Sequence, residues 1–351
     1  MRVALIAPPW VPVPPPAYGG TEAVIDRIAR GLLRCGHEVV LAAAANSTTP
    51  APQVKGTEHA PDTASLVTDV ATELRHVLTG YAALDGEVDL VHDHTLAGPL
   101  LGRQPVGAAM VTTNHGPFDR ALKPLYAAMV GTAITAISHH QASTAGEVAI
   151  RAVIHHGIDV DDVAQGTGTG GYASFLGRMT PDKGPRQAAL VARAAGVPLR
   201  MAAKIREPAE RDYFDLAVRP LLCSDVEYVG ELGLHDKLGL LRESFALLNP
   251  LQWPEPFGLV MIEALACGTP VIATPCGSAP EIVDDGVTGY LRTQREDLAG
   301  ALLDAVNLDR VACRSVAVNR FSSDRMVADY VQLYEELLEV DAESQRPARI
   351  T

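Results

Sequence analysis

Two basic residues, Arg178 and Lys183, fall in one short segment, Phe175–Gly184, that leaves a predicted buried strand. Arginine offers a planar fork for phosphate oxygens and lysine offers a point charge, a combination that suits a diphosphate. The sequence contains only five lysines. A lysine placed beside an arginine at a strand end therefore favours an anion site over an ordinary solvated loop.

Two carboxylates, Glu255 and Glu263, stand eight residues apart near the start of another predicted helix. Glu255 lies in a proline-rich loop, and the first free amides of the helix belong to residues 257–260, where they can hold an anion. Carboxylates bind ribose or sugar hydroxyls through charge-assisted hydrogen bonds. Glu263 has apolar neighbours in sequence, and a carboxylate in such surroundings usually has a partner.

Glycines and histidines also follow predicted strands in the first half of the chain. Gly19 and Gly20 precede a helix and let the backbone approach a ligand closely, although such pairs are as often simple turns. His92-Asp93-His94 follow the third strand and His115 follows the fourth. A histidine at such a place either binds a sugar hydroxyl or has a structural role, and the residues alone leave both open.

The elements that must position these residues are visible as short apolar runs alternating with helix-length segments, to about residue 300. This pattern predicts an α/β protein with parallel strands joined by crossover helices, and ligands of such sheets bind beyond the carboxyl ends of the strands. The predicted strands are Val3–Ala7, Val39–Ala43, Val88–His92, Met110–Thr113, Ala133–Ile137, Ala152–Ile154, Tyr172–Leu176, Leu199–Ala202, Val226–Val229, Phe245–Leu248 and Val271–Ala273. A first helix is predicted over Glu22–Arg34.

The alternation breaks at residues 159–171, an acidic and glycine-rich stretch with almost nothing to bury, which predicts a linker. The chain of 351 residues is long enough for two domains. We predict a first Rossmann-like domain over 1–158, a second over 172–323, and a C-terminal segment over 324–351. Its helix, Asp324–Val340, has one apolar face and is expected to pack across a domain surface.

The amino-acid composition limits the kinds of partner that the protein is expected to bind. The net charge of −13 argues against a surface for nucleic acid or an anionic membrane. The five cysteines are widely spaced and imply neither disulfides nor zinc, which fits a cytoplasmic location. A stretch of about 18 apolar residues, as a membrane span requires, does not occur, so no membrane insertion is expected.

Three histidine pairs and one acidic triplet look like metal-binding sequences. The pairs are His92 with His94, His139 with His140, and His155 with His156; they lack the spacing of a metalloprotease helix or a zinc finger. The triplet Asp159-Val160-Asp161 falls in the predicted linker, where short acidic runs are common. We therefore predict no metal site and no cofactor.

In combination, these motifs resemble the retaining glycosyltransferases of sequence family 4, which have the two-domain architecture known as the GT-B fold. The resemblance rests on residues 255–271 with Gly177-Arg178 and Lys183-Gly184, and it extends over nearly the whole chain. Its other motifs are Gly19–Glu22, His155–Asp159, Tyr228–Gly230 and Gly277–Val283. A fainter likeness is to antibiotic-tailoring sugar transferases of the avilamycin type.

The resemblance implies a role for each matched residue. Arg178 and Lys183 would neutralise a diphosphate, and Glu263 would hold the ribose hydroxyls. Glu255 would face the transferred sugar and His115 would contact it near its reacting face. The other donor-site residues implied are Gly19, Gly20, Phe257, Gly258, Leu259 and Val260 near the diphosphate, with Gly230 and Leu232 at the base; the acceptor-side candidates are His92, Asp93 and His94.

Three positions depart from the family pattern. Gly277-Ser278 replaces the usual Gly-Gly, Asn249-Pro250 replaces Pro-Ser, and His156 stands where asparagine is usual. These departures put local loop geometry in question, but none removes a phosphate-binding cation or a paired carboxylate.

The resemblance implies a metal-independent, retaining hexosyl transfer from a nucleotide-diphosphate sugar, with uridine the expected base. The few basic residues favour a soluble acceptor, a natural product or an oligosaccharide, over a lipid. Two alternatives remain: a sugar-nucleotide 2-epimerase of the same architecture, and a non-catalytic nucleotide-sugar-binding protein. The acceptor and the oligomeric state stay open.

Overall fold

A computed structural model describes residues 1–54, 57–61 and 70–344, with side chains up to residue 340. The described residues form two six-stranded sheets in which every pair of neighbouring strands is parallel. The first sheet contains β1 (Arg2–Ile6), β2 (Glu38–Ala42), β3 (Leu90–Asp93), β4 (Ala109–Thr113), β5 (Thr132–Ala136) and β6 (Ile150–Val153). The second contains β7 (Ala173–Arg178), β8 (Leu199–Lys204), β9 (Val226–Gly230), β10 (Ala246–Asn249), β11 (Val271–Ala273) and β12 (Gly289–Leu291).

Helices connect these strands and cover the sheets. Those up to β6 are α1 (Gly20–Arg34), α2 (Val70–Leu84), α3 (Ala97–Leu100), α4 (Lys123–Ala127) and α5 (His139–Ser143). Those after β7 are α6 (Pro185–Ala195), α7 (Pro208–Tyr213), α8 (Leu234–Glu243), α9 (Leu259–Ala266), α10 (Ala279–Ile282), α11 (Arg295–Asp304), α12 (Arg310–Phe321) and α13 (Ser323–Ser344).

The strand order of each sheet contains one reversal, and ligands of α/β sheets bind at such points. The first sheet runs β2-β1-β3-β4-β5-β6, so the reversal lies between β1 and β3. The second runs β12-β11-β10-β7-β8-β9, with the reversal between β7 and β10. The loop carrying Arg178 and Lys183 and the loop carrying Glu255 therefore leave adjacent strands at the reversal of the second sheet.

The predicted architecture of two parallel α/β sheets is confirmed, and each of the eleven predicted strands lies within two residues of an observed one. The first helix begins at Gly20 rather than Glu22. Strand β12 was missed because it is three residues long and contains Gly289, which gives too short an apolar run to stand out.

The long helix α13 returns to the first domain after the second is complete. Met326, Val327, Tyr330 and Tyr334 are buried in the same cluster as core residues of β1, α1 and β3. Burial of two tyrosines and two aliphatic side chains ties the end of the chain to its beginning. Within the described residues, no helix combines the length and apolar character that crossing a membrane demands.

The expectation that residues 159–171 have almost nothing to bury is wrong. Val160 and Val163 are buried in the core cluster of the second domain. The Gly166 amide donates to the Cys267 carbonyl over 2.9 Å, and the Gly168 amide donates to the Arg242 carbonyl over 3.0 Å. The glycines allow the backbone to lie flat on the second domain, so the segment is a docked strap rather than a free tether.

Candidate active site

A cleft of about 520 Å³ lies between the loops at the carboxyl ends of the two sheets. Both domains contribute side chains to it, so the site exists only when they face each other. The predicted residues that line the cleft are Gly19, Gly20, His115, Lys183, Leu232, Glu255, Phe257, Gly258, Leu259, Val260 and Glu263. The predicted residues outside its lining are His92, Asp93, His94, Arg178 and Gly230.

The N-termini of α1 and α9 face each other across the cleft. A Cβ atom built on Gly20, the first residue of α1, would lie 3.3 Å from Cδ1 of Leu259, the first residue of α9. Gly258 caps α9 in the left-handed region with φ of 88°, which favours glycine. The free amides and dipoles of two helix starts give this part of the cleft a positive potential that suits a diphosphate.

Lys183 and Glu255 form an ion pair within the cleft. The Trp253 indole donates a hydrogen bond to Glu255 Oε2 over 2.7 Å, and Lys183 Nζ lies 4.7 Å from the centre of the Trp253 ring. Both charged side chains are largely buried, at 13% and 14% exposure. An incoming phosphate would therefore compete with Glu255 for the Lys183 ammonium.

Arg178 lies beside the cleft, outside its lining. Its guanidinium is 3.7 Å from the Asp182 carboxylate, and a third of its side chain is exposed. Burial raises the pKa of the cleft residue Tyr18 to about 12, and the positive charge of Arg178 acts in the opposite direction. Arg178 is thus close enough to influence the cleft electrostatically.

Glu263 points from α9 into the cleft with one oxygen paired and one free. Its Oε1 accepts from Lys237 Nζ of α8 over 2.6 Å. Its Oε2 is buried without a hydrogen-bond partner among the described residues. Because a buried unpaired carboxylate oxygen is costly, this atom is suited to accept a ligand hydroxyl.

Ser278, one of the departures from the family pattern, fastens the loop that carries Glu255. Its amide donates to the Glu255 carbonyl over 3.0 Å, and its hydroxyl donates to the Phe257 carbonyl. A second glycine could not supply the hydroxyl bond. The departure therefore adds a tether to this loop.

Asn249, the second departure, ends strand β10 and lines the cleft. It is buried, and its Nδ2 lacks a partner among the described residues. The side chain therefore offers the cleft an amide donor on the wall that carries Lys183.

The residues predicted to receive the base, Gly230 and Leu232, lie at and just after the end of β9. Leu232 lines the cleft, whereas Gly230 ends β9 just outside the lining. Glu231 forms an ion pair with Arg206 over 2.5 Å and accepts from the Tyr18 amide over 3.3 Å. Tyr18 thus links the first domain to this part of the second.

Three histidines of the first domain form a hydrogen-bonded chain beside the cleft. His94 Nδ1 lies 2.9 Å from His115 Nε2, and His115 Nδ1 lies 3.3 Å from His156 Nε2. Burial lowers the pKa of His115 to about 4 and lowers those of His94 and His156 well below their usual value. The chain is therefore neutral at pH 7, and both nitrogens of His115 already have partners.

The structure does not bring His92, Asp93 and His94, the predicted acceptor-side residues, into the lining of the cleft. Within the core, His92 forms hydrogen bonds with the hydroxyl groups of Tyr334 and Thr113, each over 2.7 Å. Successive residues of β3 point to opposite faces of the sheet, so Asp93 faces α2 and accepts from Tyr81 over 2.6 Å. His94 lies behind His115, and its Nε2 is buried without a partner among the described residues.

The tertiary structure brings together His139, His155 and Glu281, which the sequence analysis treated as unrelated. Their potential ligand atoms lie within 4.8 Å of one another. Glu281 accepts from the amides of His139 and His140 over 2.8 and 2.6 Å and from His155 Nε2 over 2.8 Å. These bonds join α10 of the second domain to the first domain. Asp159, of the acidic triplet, instead pairs with Arg30 over 2.6 Å.

Sequence reasoning missed Lys204 and Lys237. Both line the cleft with Lys183, so three of the five lysines of the sequence lie there. The small number of lysines in the chain was the sequence signal that could have drawn attention to these two. The sequence alone did not show that they face the cleft, because for Lys237 this depends on the packing of α8 on α9.

Two family models match consecutive parts of the chain. The model described as Glycosyltransferase Family 4 matches residues 18–162, and the one described as Glycosyl transferases group 1 matches residues 167–317. The chain belongs to the family 4 glycosyltransferases. The boundary between the two matches falls within the docked strap, and the fold is the GT-B architecture of this family.

Individual relatives agree with this assignment. The phosphatidyl-myo-inositol mannosyltransferase of Mycolicibacterium smegmatis is 27% identical over 95% of this chain and 94% of its own length. The crystal structure of AviGT4, a glycosyltransferase involved in avilamycin A biosynthesis, matches with a TM-score of 0.74 and 27% identity, over 96% of this chain and 98% of that one. The first two curated relatives, each 36% identical, match over about a third of their own length.

A third comparison concerns the fold alone. Anabaena Alr3699/HepE, solved in complex with UDP-glucose, superimposes with a TM-score of 0.72 at 19% identity, over 95% of this chain and all of that one. The family 4 glycosyltransferase described here thus shares its two-domain arrangement with a protein that was solved holding a nucleotide sugar.

Proposed function

We propose that the protein is a retaining glycosyltransferase that moves a sugar from a UDP-linked donor to a soluble acceptor, a natural product or an oligosaccharide. The observation that carries the proposal is the second-domain wall of the cleft. It presents the Lys183 ammonium and the unpaired Oε2 of Glu263 in one cavity, beside the free amides of α9. A cation and amides suit the diphosphate, and a free carboxylate oxygen suits the ribose.

Catalysis in this proposal depends on charge that grows on the leaving diphosphate. Lys183, the amides at the starts of α1 and α9, and Arg178 after a side-chain rotation would stabilise that charge where it develops. The amides are fixed at the helix starts, so they need little reorganisation during the reaction. The chain's own cations thereby take the part that a divalent metal plays in other transferases.

Glu255 has the role of orienting the sugar. In the cleft its carboxylate is held by Lys183 and Trp253. When phosphate attracts Lys183, Glu255 becomes free to accept a sugar hydroxyl. The acceptor would attack on the face from which the diphosphate leaves, and this same-face attack would retain the anomeric configuration. A phosphate oxygen would take the acceptor's proton.

The test is calorimetric titration with UDP, GDP, ADP and TDP in the presence of EDTA, comparing wild type, Lys183→Ala and the matched control Lys123→Ala. Lys123 lies in α4, outside the cleft lining. We expect UDP to bind wild type and the control equally, and to bind Lys183→Ala about ten- to a hundredfold more weakly, as loss of a charged hydrogen bond predicts. Absence of nucleotide binding to wild type would overturn the proposal.

Product analysis with UDP-sugars separates this proposal from the two alternatives. Transfer or slow hydrolysis of the sugar supports a transferase. Accumulation of an epimeric UDP-sugar would identify an epimerase, and tight UDP binding with neither product would identify a binding protein.

A further inference from the structure

The first-domain wall of the cleft has an unusual balance of charge. Its titratable lining includes the carboxyl groups of Glu22 and Asp26 and the guanidinium groups of Arg27 and Arg30, and the carboxyl group of Asp159, at the start of the strap, lies against them. The histidines on this wall are neutral at pH 7, as described above. The wall therefore carries no excess of positive charge, in contrast to the second-domain wall.

Both guanidinium groups of this wall already have carboxylate partners. Arg30 Nε lies 2.8 Å from Asp26 Oδ2, and its Nη2 lies 2.6 Å from Asp159 Oδ2. Arg27 Nε lies 4.0 Å from the same Asp159 oxygen, and its Nη1 donates to the Gly157 carbonyl over 3.4 Å. A phosphate or carboxylate ligand would have to displace these contacts and would approach the carboxylates at the same time.

Several hydrogen-bonding atoms on this wall lack partners. Asp26 is 6% exposed, and its Oδ1 is buried with no partner among the described residues; the same holds for Nδ1 of His156, which is 3% exposed. Glu22 is also 6% exposed, and burial raises the pKa of its carboxyl group to about 7, so near neutral pH this group occurs both protonated and ionised. The unpaired Asp26 oxygen accepts hydrogen bonds, so a ligand that satisfies it must donate them.

The position of the wall fixes which ligand this is. The charged side chains assigned to the donor, Lys183, Glu255 and Glu263, lie on the opposite wall, whereas the first domain gives the diphosphate only the amides at the start of α1. A sugar transferred from the second-domain side must meet the acceptor across the cleft. The acceptor therefore lies against Glu22, Asp26 and His156. This step depends on the proposed function.

We propose that Asp26 and Glu22 form an acceptor subsite for an uncharged polyhydroxylated compound, a sugar or cyclitol, and that this subsite disfavours a phosphorylated acceptor. Hydroxyl groups donate to both carboxyl groups and to His156 Nδ1 in its acceptor tautomer. A phosphate dianion has no proton to donate and is repelled by the Asp26 carboxylate and by the ionised form of Glu22. Like charges placed together disfavour binding, so the subsite discriminates against the phosphorylated compound.

The experiment measures UDP release from UDP-glucose by the full-length protein with matched acceptor pairs at equal concentration. The pairs are myo-inositol with myo-inositol 1-phosphate, and D-glucose with D-glucose 6-phosphate. We expect kcat/KM to be at least about tenfold higher for the neutral member of each pair, a ratio equivalent to about 1.4 kcal/mol. Equal or greater activity with the phosphorylated members overturns the proposal, and so does failure of both neutral compounds to stimulate release.

Two variants test the named carboxyl groups. Asp26→Asn and Glu22→Gln each remove a charge while keeping side-chain shape, and each should raise the KM for the neutral acceptor about fivefold or more and reduce the discrimination against its phosphorylated partner. Among the described residues none forms an ion pair with Glu22, so Glu22→Gln remains informative if Asp26→Asn fails to fold. Unchanged KM and unchanged discrimination in Glu22→Gln count against the subsite.

Asp324→Asn is the matched control. Asp324 also pairs with an arginine of α1, Arg34, over 2.8 Å, but its side chain is 77% exposed and lies outside the cleft lining. We expect its KM and discrimination to equal those of wild type. UDP titration of the wild type separates the two levels of failure, because loss of UDP binding contradicts the proposed function, whereas UDP binding with a preference for phosphorylated acceptors contradicts the subsite alone.

Discussion

Lys237 of α8 and Glu263 of α9 form an ion pair over 2.6 Å that leaves Glu263 Oε2 buried and without a partner among the described residues. The Glu263 side chain is 5% exposed, so its charge requires this partner. The pair fixes the carboxylate with one oxygen directed to the lysine and the other available to a ligand. A fixed carboxylate can discriminate a ribose from a sugar that lacks the hydroxyl.

We expect Glu263→Gln to weaken UDP binding about ten- to a hundredfold, since hydrogen bonds to charged groups contribute about 1.5–3 kcal/mol. Calorimetry with UDP and 2′-deoxy-UDP checks whether Glu263 binds the ribose hydroxyl. Wild type should prefer UDP, and the variant should bind both nucleotides alike. An undiminished preference in the variant would assign the ribose to another residue.

Glu255→Gln should separate binding from turnover. The substitution removes the charge that pairs with Lys183, so the ammonium becomes available to phosphate and UDP affinity should stay equal or rise. Sugar transfer should fall by about a hundredfold, because the carboxylate no longer orients the sugar. Calorimetry and initial rates on the same preparation measure the two effects. A parallel loss of UDP affinity and rate would contradict the orienting role.

The buried histidines should make the protein sensitive to acid. Burial lowers the pKa of His92 to about 3 and of His115 to about 4, and lowers those of His94 and His156 well below the usual value. The usual histidine pKa is about 6.5. Between this value and the lower native pKa values, the unfolded chain binds more protons than the native one. The free energy of unfolding therefore falls as the pH falls through this window. At about pH 5.5 each such histidine costs about 1.4 kcal/mol.

His156→Asn tests this pH dependence by introducing the residue that is usual in the family. We expect a flatter loss of unfolding free energy between about pH 7.5 and about pH 5.5, a range that spans about one unit on either side of the ordinary histidine pKa. His235→Asn is the control, because the His235 side chain is 96% exposed. Denaturant titrations at each pH provide the measurement, and identical slopes in His156→Asn and wild type would refute the prediction.

Tyr334 joins α13 to the first domain through its hydroxyl bond to His92 Nδ1 and through full burial of its ring. Tyr334→Phe should lower the free energy of unfolding by about 1–3 kcal/mol, because the buried His92 nitrogen loses its partner. Tyr334→Ala should cost about 3–5 kcal/mol, by analogy with truncation of other buried aromatic residues.

Val311→Ala, at a valine that is 59% exposed on α12, should change the free energy of unfolding by less than about 0.5 kcal/mol. Chemical denaturation compares the three variants with wild type. Equal stability of Tyr334→Ala and wild type would show that α13 contributes little to the first domain.

The sequence by itself determined the parallel strands, because each is a short apolar run closed by polar or glycine residues, and it singled out Lys183, Glu255 and Glu263 as residues of the cleft. It did not determine their partners. Lys237 meets Glu263 only because α8 packs on α9, and the chain of His94, His115 and His156 forms only where three strand ends converge.

The tertiary structure also decided which polar residues lie outside the lining of the cleft. His92 and Asp93 follow the same strand-end rule as His115, yet α13 covers one and α2 the other. The strap at residues 159–171 lies on the second domain because carbonyl groups far away in sequence, such as that of Cys267, accept hydrogen bonds from its amides. Local periodicity specifies which backbone forms, whereas the pairing of side chains depends on contacts between segments far apart in the chain, and those contacts are set only when both domains have folded.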